Sequence, residues 1–316
     1  MKLTLDQVQA ITRGAVSVTY ENSIYTFRRM TDSQIATFGS ILEKYRTRSS
    51  ATAGIRLEFE TDSKTFCAHV HGAGKYEILV DNMRVLFGTY DVKDCLYVDM
   101  PEGNKHVTVL LPWHTEGKLG LMFLDEGSYV RPYEGFDRKF LFLGDSITQG
   151  STSGQDSLTY VFRVAQWFNA DYMNWGVGGT KFYPQTLEKP DYEPDTVFIA
   201  YGTNDFNAIP SIEQIESNCK QYMDTVKSWY PNATFYCISP LWRLDCKQVR
   251  PAGTLEQVRQ VIIKQIQDHG FNHIDGFKLV PHDPLYFADK RLHPNAIGMS
   301  LYAEQLIKAI SDIEKA

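Results

Sequence analysis

The chain has 316 residues, 43% of them apolar and 22% charged, with a formal net charge of −6. That is the composition of a globular protein with a real core, in one large domain or two ordinary ones. The acidic balance and the lack of a basic run argue against a nucleic-acid partner, and no window approaches membrane-spanning length. The start MKLTLDQVQAITRG lacks the apolar stretch of a secretory signal, and the five cysteines form no CxxC pair. The expectation is a cytoplasmic protein with reduced thiols and no membrane partner.

From about residue 14 to 130 the chain shows short alternating runs separated by turn residues. In GIRLEFETDS, Ile55, Leu57 and Phe59 alternate with Arg56, Glu58 and Glu60, the pattern of a half-buried strand. KTFCAHVHG, YEILVDNMRVLFG, CLYVDM, HVTVLLP and LGLMFL follow at similar spacing, which predicts an antiparallel β-sandwich or jelly roll over residues 1–135. SYVRPYEGFDRK reads as a linker. After it the strand-like KFLFLG, YMNWGVGG, DTVFIAYGTND, ATFYCISPLW and HIDGFKLV alternate with helical stretches. Those stretches include 211–229, a helix near 254–268, and NAIGMSLYAEQLIKAISDI. The pattern predicts a doubly wound α/β domain over 136–316, with a mainly parallel sheet of about five strands.

The run Phe140–Leu143 ends in Gly144-Asp145-Ser146. A serine at a strand-to-helix corner sits at the carboxyl end of its strand, where open α/β sheets bind ligands, and near a helix N-terminus. Three later segments supply what acyl transfer needs besides a nucleophile. NWGVGGT offers exposed backbone N–H groups, YGTND the amide of Asn204, and DKRLHPNAIG the imidazole of His293 ahead of a helix.

The set Gly144-Asp145-Ser146, Gly179, Gly202-Thr203-Asn204-Asp205 and His293-Pro294-Asn295 resembles the four blocks of the SGNH hydrolases, or GDSL-type esterases. The order matches, and the likeness spans about 138 to 314. It implies a flavodoxin-like SGNH domain with Ser146 as nucleophile and His293 as base. The Ser146 N–H, the Gly179 N–H and the Asn204 amide would form the oxyanion hole, Gly176 being the other candidate glycine. The layout of a β-sandwich ahead of this domain is similar to carbohydrate esterase family two, whose members remove acetyl groups from sugars. The family usually has an aspartate three residues before the histidine, but here that position is Lys290 and the nearest acid is Asp289. Either one extra residue loops out and lets Asp289 orient the ring, which is the expectation, or a backbone carbonyl does so in a Ser-His dyad.

Other residues have plainer readings. Trp113, Trp167, Trp175 and Trp229 are read as core. Trp242 and Arg243, in SPLWRLD after a strand, could overhang the site and bind substrate. His69 and His71 share a strand face, but a metal would need a third ligand and none is evident nearby, so no metal is expected. Asp205 is read as a structural hydrogen-bonder. The resulting expectation is a cofactor-independent serine esterase acting on short acyl, chiefly acetyl, esters of a carbohydrate or small metabolite. The alternatives are a lysophospholipase or thioesterase with an apolar channel, and a non-catalytic carbohydrate-binding protein.

Overall fold

The computed structural model describes residues 1–315. Its first part contains β1 (Thr12–Arg13), β2 (Ser17–Glu21), β3 (Ile24–Arg28), β4 (Arg56–Thr61), β5 (Thr65–Val70) and β6 (Gly74–Val80). β7 (Met83–Tyr90), β8 (Cys95–Asp99), β9 (Lys105–Leu110), β10 (Lys118–Leu124) and β11 (Arg131–Pro132) follow. They build two antiparallel sheets, ordered β1-β4-β9-β6-β7 with β11 beside β4, and β2-β3-β10-β5-β8. Phe27, Leu57, Phe59, Phe66, Val107 and Leu119 fill the space between the sheets. This is the sandwich that the alternating runs predict.

β4 departs from expectation on its polar face. Arg56 and Glu58 alternate with the core residues as read, yet they are only 1% and 4% exposed. The α/β half covers this face, and Arg56 donates to Asp171 at 2.7 Å, the Tyr172 carbonyl at 3.2 Å and Glu58 at 2.9 Å. Glu58 also accepts from Thr108 and contacts the His106 ring, so each buried charge has partners, as burial requires.

The second part contains β12 (Arg138–Gly144), β13 (Ala170–Gly176), β14 (Thr196–Ala200) and β15 (Thr234–Ile238). A two-stranded ribbon of β16 (Val249–Arg250) and β17 (Gly253–Thr254) comes before β18 (Asn272–Ile274). The main sheet runs β13-β12-β14-β15-β18 and is parallel throughout. Strand order therefore reverses around β12, and the crevice above the carboxyl ends at such a reversal is the ligand position of open α/β sheets. β12 is buried on both faces. Leu141 and Leu143 pack toward one cluster, Phe140 and Phe142 toward the other.

The helices are α1 (Leu5–Ile11), α2 (Asp32–Ile41), α3 (Glu43–Ser50), the single turn α4 (Ser146–Gln149), α5 (Tyr160–Trp167), α6 (Thr203–Ala208), α7 (Ile212–Trp229), α8 (Leu255–Asp268) and α9 (Ala296–Glu314). α7 and α8 pack on one face of the parallel sheet, α5 and α9 on the other. α2 and α3 interrupt the stretch read as strands. Thr31 and Gln34 cap α2 reciprocally, and Ile35, Phe38 and Tyr45 join Leu141 and Trp175 in the core of the α/β half.

Arg29, 1% exposed, leads into this segment and plugs the edge of β13. Its guanidinium donates to the carbonyls of Asn174 and Gly176 at 2.8 Å each, Arg48 at 2.8 Å and Ala51 at 2.6 Å. Replacing it leaves those oxygens without a donor. Arg29→Met should lower stability by about 3–5 kcal/mol, read as a shifted urea midpoint at unchanged slope. A shift worth under about 1 kcal/mol would show that the plug is dispensable.

Candidate active site

β12 ends at Gly144, where an added Cβ would lie 2.0 Å from the Thr148 hydroxyl, so only glycine permits the corner. Asp145 caps α4 by accepting the Ile147 N–H at 2.9 Å. α4 is one turn long and Gly150, at φ +108°, ends it. The helix expected after Ser146 is thus too short for much macrodipole, and the Ser146 N–H meets no acceptor among the described residues. Asn174 braces the turn by donating to the Thr148 carbonyl at 2.8 Å.

His293 arrives from the other side, on a loop pinned by pairing of Phe287 with Pro294, just before α9. Its Nε2 stands 2.9 Å from Ser146 Oγ, and its Nδ1 stands 2.8 Å from Asp289 Oδ2. Lys290 is the residue that loops out: its φ is +56°, a left-handed conformation. That kink turns three successive N–H groups, of Arg291, Leu292 and His293, onto Asp289 Oδ1 at 3.0, 2.7 and 3.1 Å. Partial burial works to raise the Asp289 pKa, but the Leu292 N–H, the His293 ring and the other N–H bonds outweigh it. The carboxyl is held well below the usual carboxylate range, ionised and ready to hold the imidazole.

The glycine turn separates its two candidates. The Gly176 N–H is taken by Asn174 Oδ1 at 2.9 Å, whereas Gly179, at φ +84°, has an N–H without an acceptor among the described residues. Tyr45 and Arg48 of α3 grip this turn, donating to the carbonyls of Gly179 at 2.8 Å and Gly178 at 2.6 Å. Asn204 opens α6 beside it, its amide donating to the Thr180 carbonyl at 3.0 Å and more loosely to Asp145 at 3.3 Å. Ser146, Gly179, Asn204 and His293 all line one cleft of about 360 Å³.

A family model of the GDSL-like lipases and acylhydrolases matches residues 142–301, half of the chain and all of these residues. The chain belongs to that family. Among curated proteins, nothing matches it. Solved structures share its layout over nearly the whole length. The salicylyl-acyltransferase SsfX3 from a tetracycline biosynthetic pathway superposes with a TM-score of 0.82 at 18% identity, covering 96% of this chain and 94% of that one. A family two carbohydrate esterase from Cellvibrio japonicus gives 0.70 at 16%, covering 97% and 96%. An acetyl xylan esterase from the rumen bacterium Butyrivibrio proteoclasticus gives 0.63 at 15%, covering 83% and 90%. At such identities the likeness is one of fold: a β-rich domain followed by a GDSL-type α/β domain.

Two expected substrate contacts of this GDSL-family chain are not in the cleft. Arg243 is fully buried beneath it, paired with Asp245 at 2.9 Å and donating to the carbonyl and hydroxyl of Thr203 at 3.0 Å. It anchors the first turn of α6, which carries Asn204. Trp242 stacks on His282 at 5.3 Å and packs near Phe287, away from the cleft. In their place stand residues that sequence reasoning passed over. Arg48 comes from α3, Trp113 and His114 from the loop after β9, and Arg291 from the histidine loop. Trp113, read as core, is a cleft wall. Gln149 ties these pieces together, donating to the carbonyls of Arg48 at 3.2 Å and Trp113 at 3.1 Å and accepting the Gly178 N–H at 2.7 Å. The Thr31–Gln34 capping signature is the one sequence signal that points to the α2–α3 segment.

Below the cleft lie two fully buried carboxyls. Burial pushes Asp145 up to about 7, against the Ile147 N–H, and neighbouring Asp205 adds to the rise. Burial likewise pushes Asp205 up to about 6, against its bond from the Phe182 N–H.

Two outcomes follow from this geometry. Asp289→Asn should lower turnover at least about a hundredfold by disorienting the imidazole, while Lys290→Gly, which suits a positive φ, should keep near-full activity. A loss below about threefold for Asp289→Asn would leave the ring oriented by something else. The second concerns pH. Both buried carboxyls are raised above their unfolded values, so between about pH 4 and 7 the folded chain holds protons that the unfolded chain releases. Their contribution therefore favours folding at the acid end and is lost as pH rises through that window. Asp205→Asn, which keeps the acceptor for Phe182, should flatten the fall in urea-unfolding stability between about pH 4 and 6; an unchanged slope there would refute the assignment.

Proposed function

We propose that this member of the GDSL-like family is a serine ester hydrolase for short acyl groups, acetyl above all, carried on a carbohydrate or other polar alcohol. The observation that carries the reading is the continuous relay from Ser146 Oγ through His293 to Asp289, at 2.9 and 2.8 Å, beside two free backbone donors. Ser146 attacks the ester carbonyl as His293 Nε2 takes its proton, and Asp289 stabilises the imidazolium. The oxyanion forms against the N–H groups of Ser146 and Gly179, and the Asn204 amide exchanges its loose contact with Asp145 for it. His293 then protonates the departing alcohol, and water repeats the sequence on the acyl-enzyme. No step requires a cofactor.

The character of the cleft supports the substrate class. Trp113 and Leu292 are its large apolar walls, and the rest of its lining is polar or glycine, which suits a short acyl group and a hydroxyl-rich leaving alcohol rather than a long chain. Of the proteins that share the fold, one is by name an acetyl xylan esterase and another a carbohydrate esterase.

Ser146→Ala should abolish hydrolysis, since loss of a serine nucleophile costs on the order of a millionfold in turnover. Acetyl esters should be cleaved faster than octanoyl esters of the same alcohol. A marked octanoyl preference would favour a lysophospholipase or thioesterase. Asn204→Ala should lower kcat by about a hundred- to a thousandfold with little change in KM; an effect on KM alone would remove it from the oxyanion site.

A further inference from the structure

On the sandwich sheet opposite the one that packs against the α/β half, three metal-type donors converge. Cys67 and His69, two apart on β5, share the outer face, while Phe66, Ala68 and Val70 point into the core. Cys95 on β8 pairs in register with His69. The donor atoms of the three all lie within 4.8 Å of one another, and the sulfurs of Cys67 and Cys95 are 2.7 Å apart. The third ligand that His69 lacks in the sequence comes from the neighbouring strand, 26 residues on.

We propose that Cys67, His69 and Cys95 bind one thiophilic metal ion, zinc(II) foremost, which staples β8 to β5. Two thiols and an imidazole are the donor set of zinc and of soft ions, not of magnesium or calcium. Zinc–sulfur bonds of about 2.3 Å place two sulfurs roughly 3.8 Å apart on a tetrahedral ion. The sulfurs therefore separate by roughly 1 Å on binding, a swing open to Cys95 because its side chain is exposed. Water takes the fourth position. The staple has a physical use: β8 is the last strand of its sheet and, among the described residues, pairs with β5 alone, and an unprotected edge strand invites pairing with another chain. Oxidation to a disulfide is the competing fate of the two thiols. The site is independent of the Ser146 chemistry.

The test titrates the reduced, metal-free full chain with cobalt(II) and then zinc(II) under anaerobic conditions, followed by thiolate-to-cobalt absorption and competition with a chromophoric chelator. The expected result is one equivalent bound. Cys67→Ser and Cys95→Ser should each weaken binding at least about a hundredfold, and His69→Ala at least about tenfold. Cys246→Ser should change nothing, and hydrolysis of an acetyl ester should be the same with and without zinc. In the unsubstituted chain, zinc should shield Cys67 and Cys95 from alkylation, mapped by mass spectrometry. The proposal is overturned if no equivalent binds, if Cys67→Ser binds as tightly as the parent, or if the two thiols form a disulfide on brief exposure to air with zinc present.

Discussion

Arg29 leaves the end of β3 at the rim of the sandwich and finishes, buried, against the last carbonyls of β13. β13 is the edge of the parallel sheet, so its outer carbonyls would otherwise point at nothing. Among the described residues no carboxylate pairs with the guanidinium, and four carbonyl dipoles surround it instead. Burial lowers its pKa to about 9, which leaves it charged at neutral pH. Because Arg29 is held there, the segment after it must run along the α/β half. α2 and α3 then cover the sheet and bring Tyr45 and Arg48 to the glycine turn. The geometry around Gly179 thus depends on a contact made well outside the catalytic blocks.

The three carboxyls around the serine show one residue type set to opposite states by its surroundings. Asp289, partly open and fed by backbone N–H groups, keeps its charge where an imidazolium will need it. Asp145 and Asp205 lie under the cleft with few donors, and one Asp205 oxygen meets none among the described residues. Their burial raises both toward neutral pH, so they hold the Ser146 and Asn204 turns in place with part of their charge removed by protonation. Arg243 works from below on the same turns by holding Thr203.

Much of this was legible in the residues. The runs ending in Gly144, Gly176 and Ala200 read as strands because parallel sheets bury both faces, and α7 begins one residue from where its periodicity placed it. The four blocks converge because each ends a strand or, with His293, precedes the last helix. Other features failed for identifiable reasons. α3, EKYRTRSS, is polar and short, and its one deeply buried aromatic, Tyr45, makes no helical stripe. The alternation in β4 is the same whether Arg56 meets water or Asp171, so pattern alone could not show that the face was covered. Arg243 and Trp242 were placed by their distance from a strand end, but a buried Thr203 carbonyl and His282 claim them instead. The Cys67–Cys95 approach depends on strand register, which linear spacing does not reveal.

The Arg29 contact also has a time of its own. Its carbonyl partner Asn174 lies 145 residues downstream. At roughly 5–20 residues per second, a ribosome needs about 7–30 s to make that stretch. Through that interval the nascent sandwich carries an unplaced cation and the apolar side of α2, with Ile35 and Phe38 awaiting a sheet not yet made. The sandwich strands can pair once the last of them, β11, has been made, but residues 29–51 must stay uncommitted until β13 emerges. The late-made half therefore finishes the early one, and the order of synthesis leaves one apolar segment exposed to chaperones or to misplaced partners for seconds.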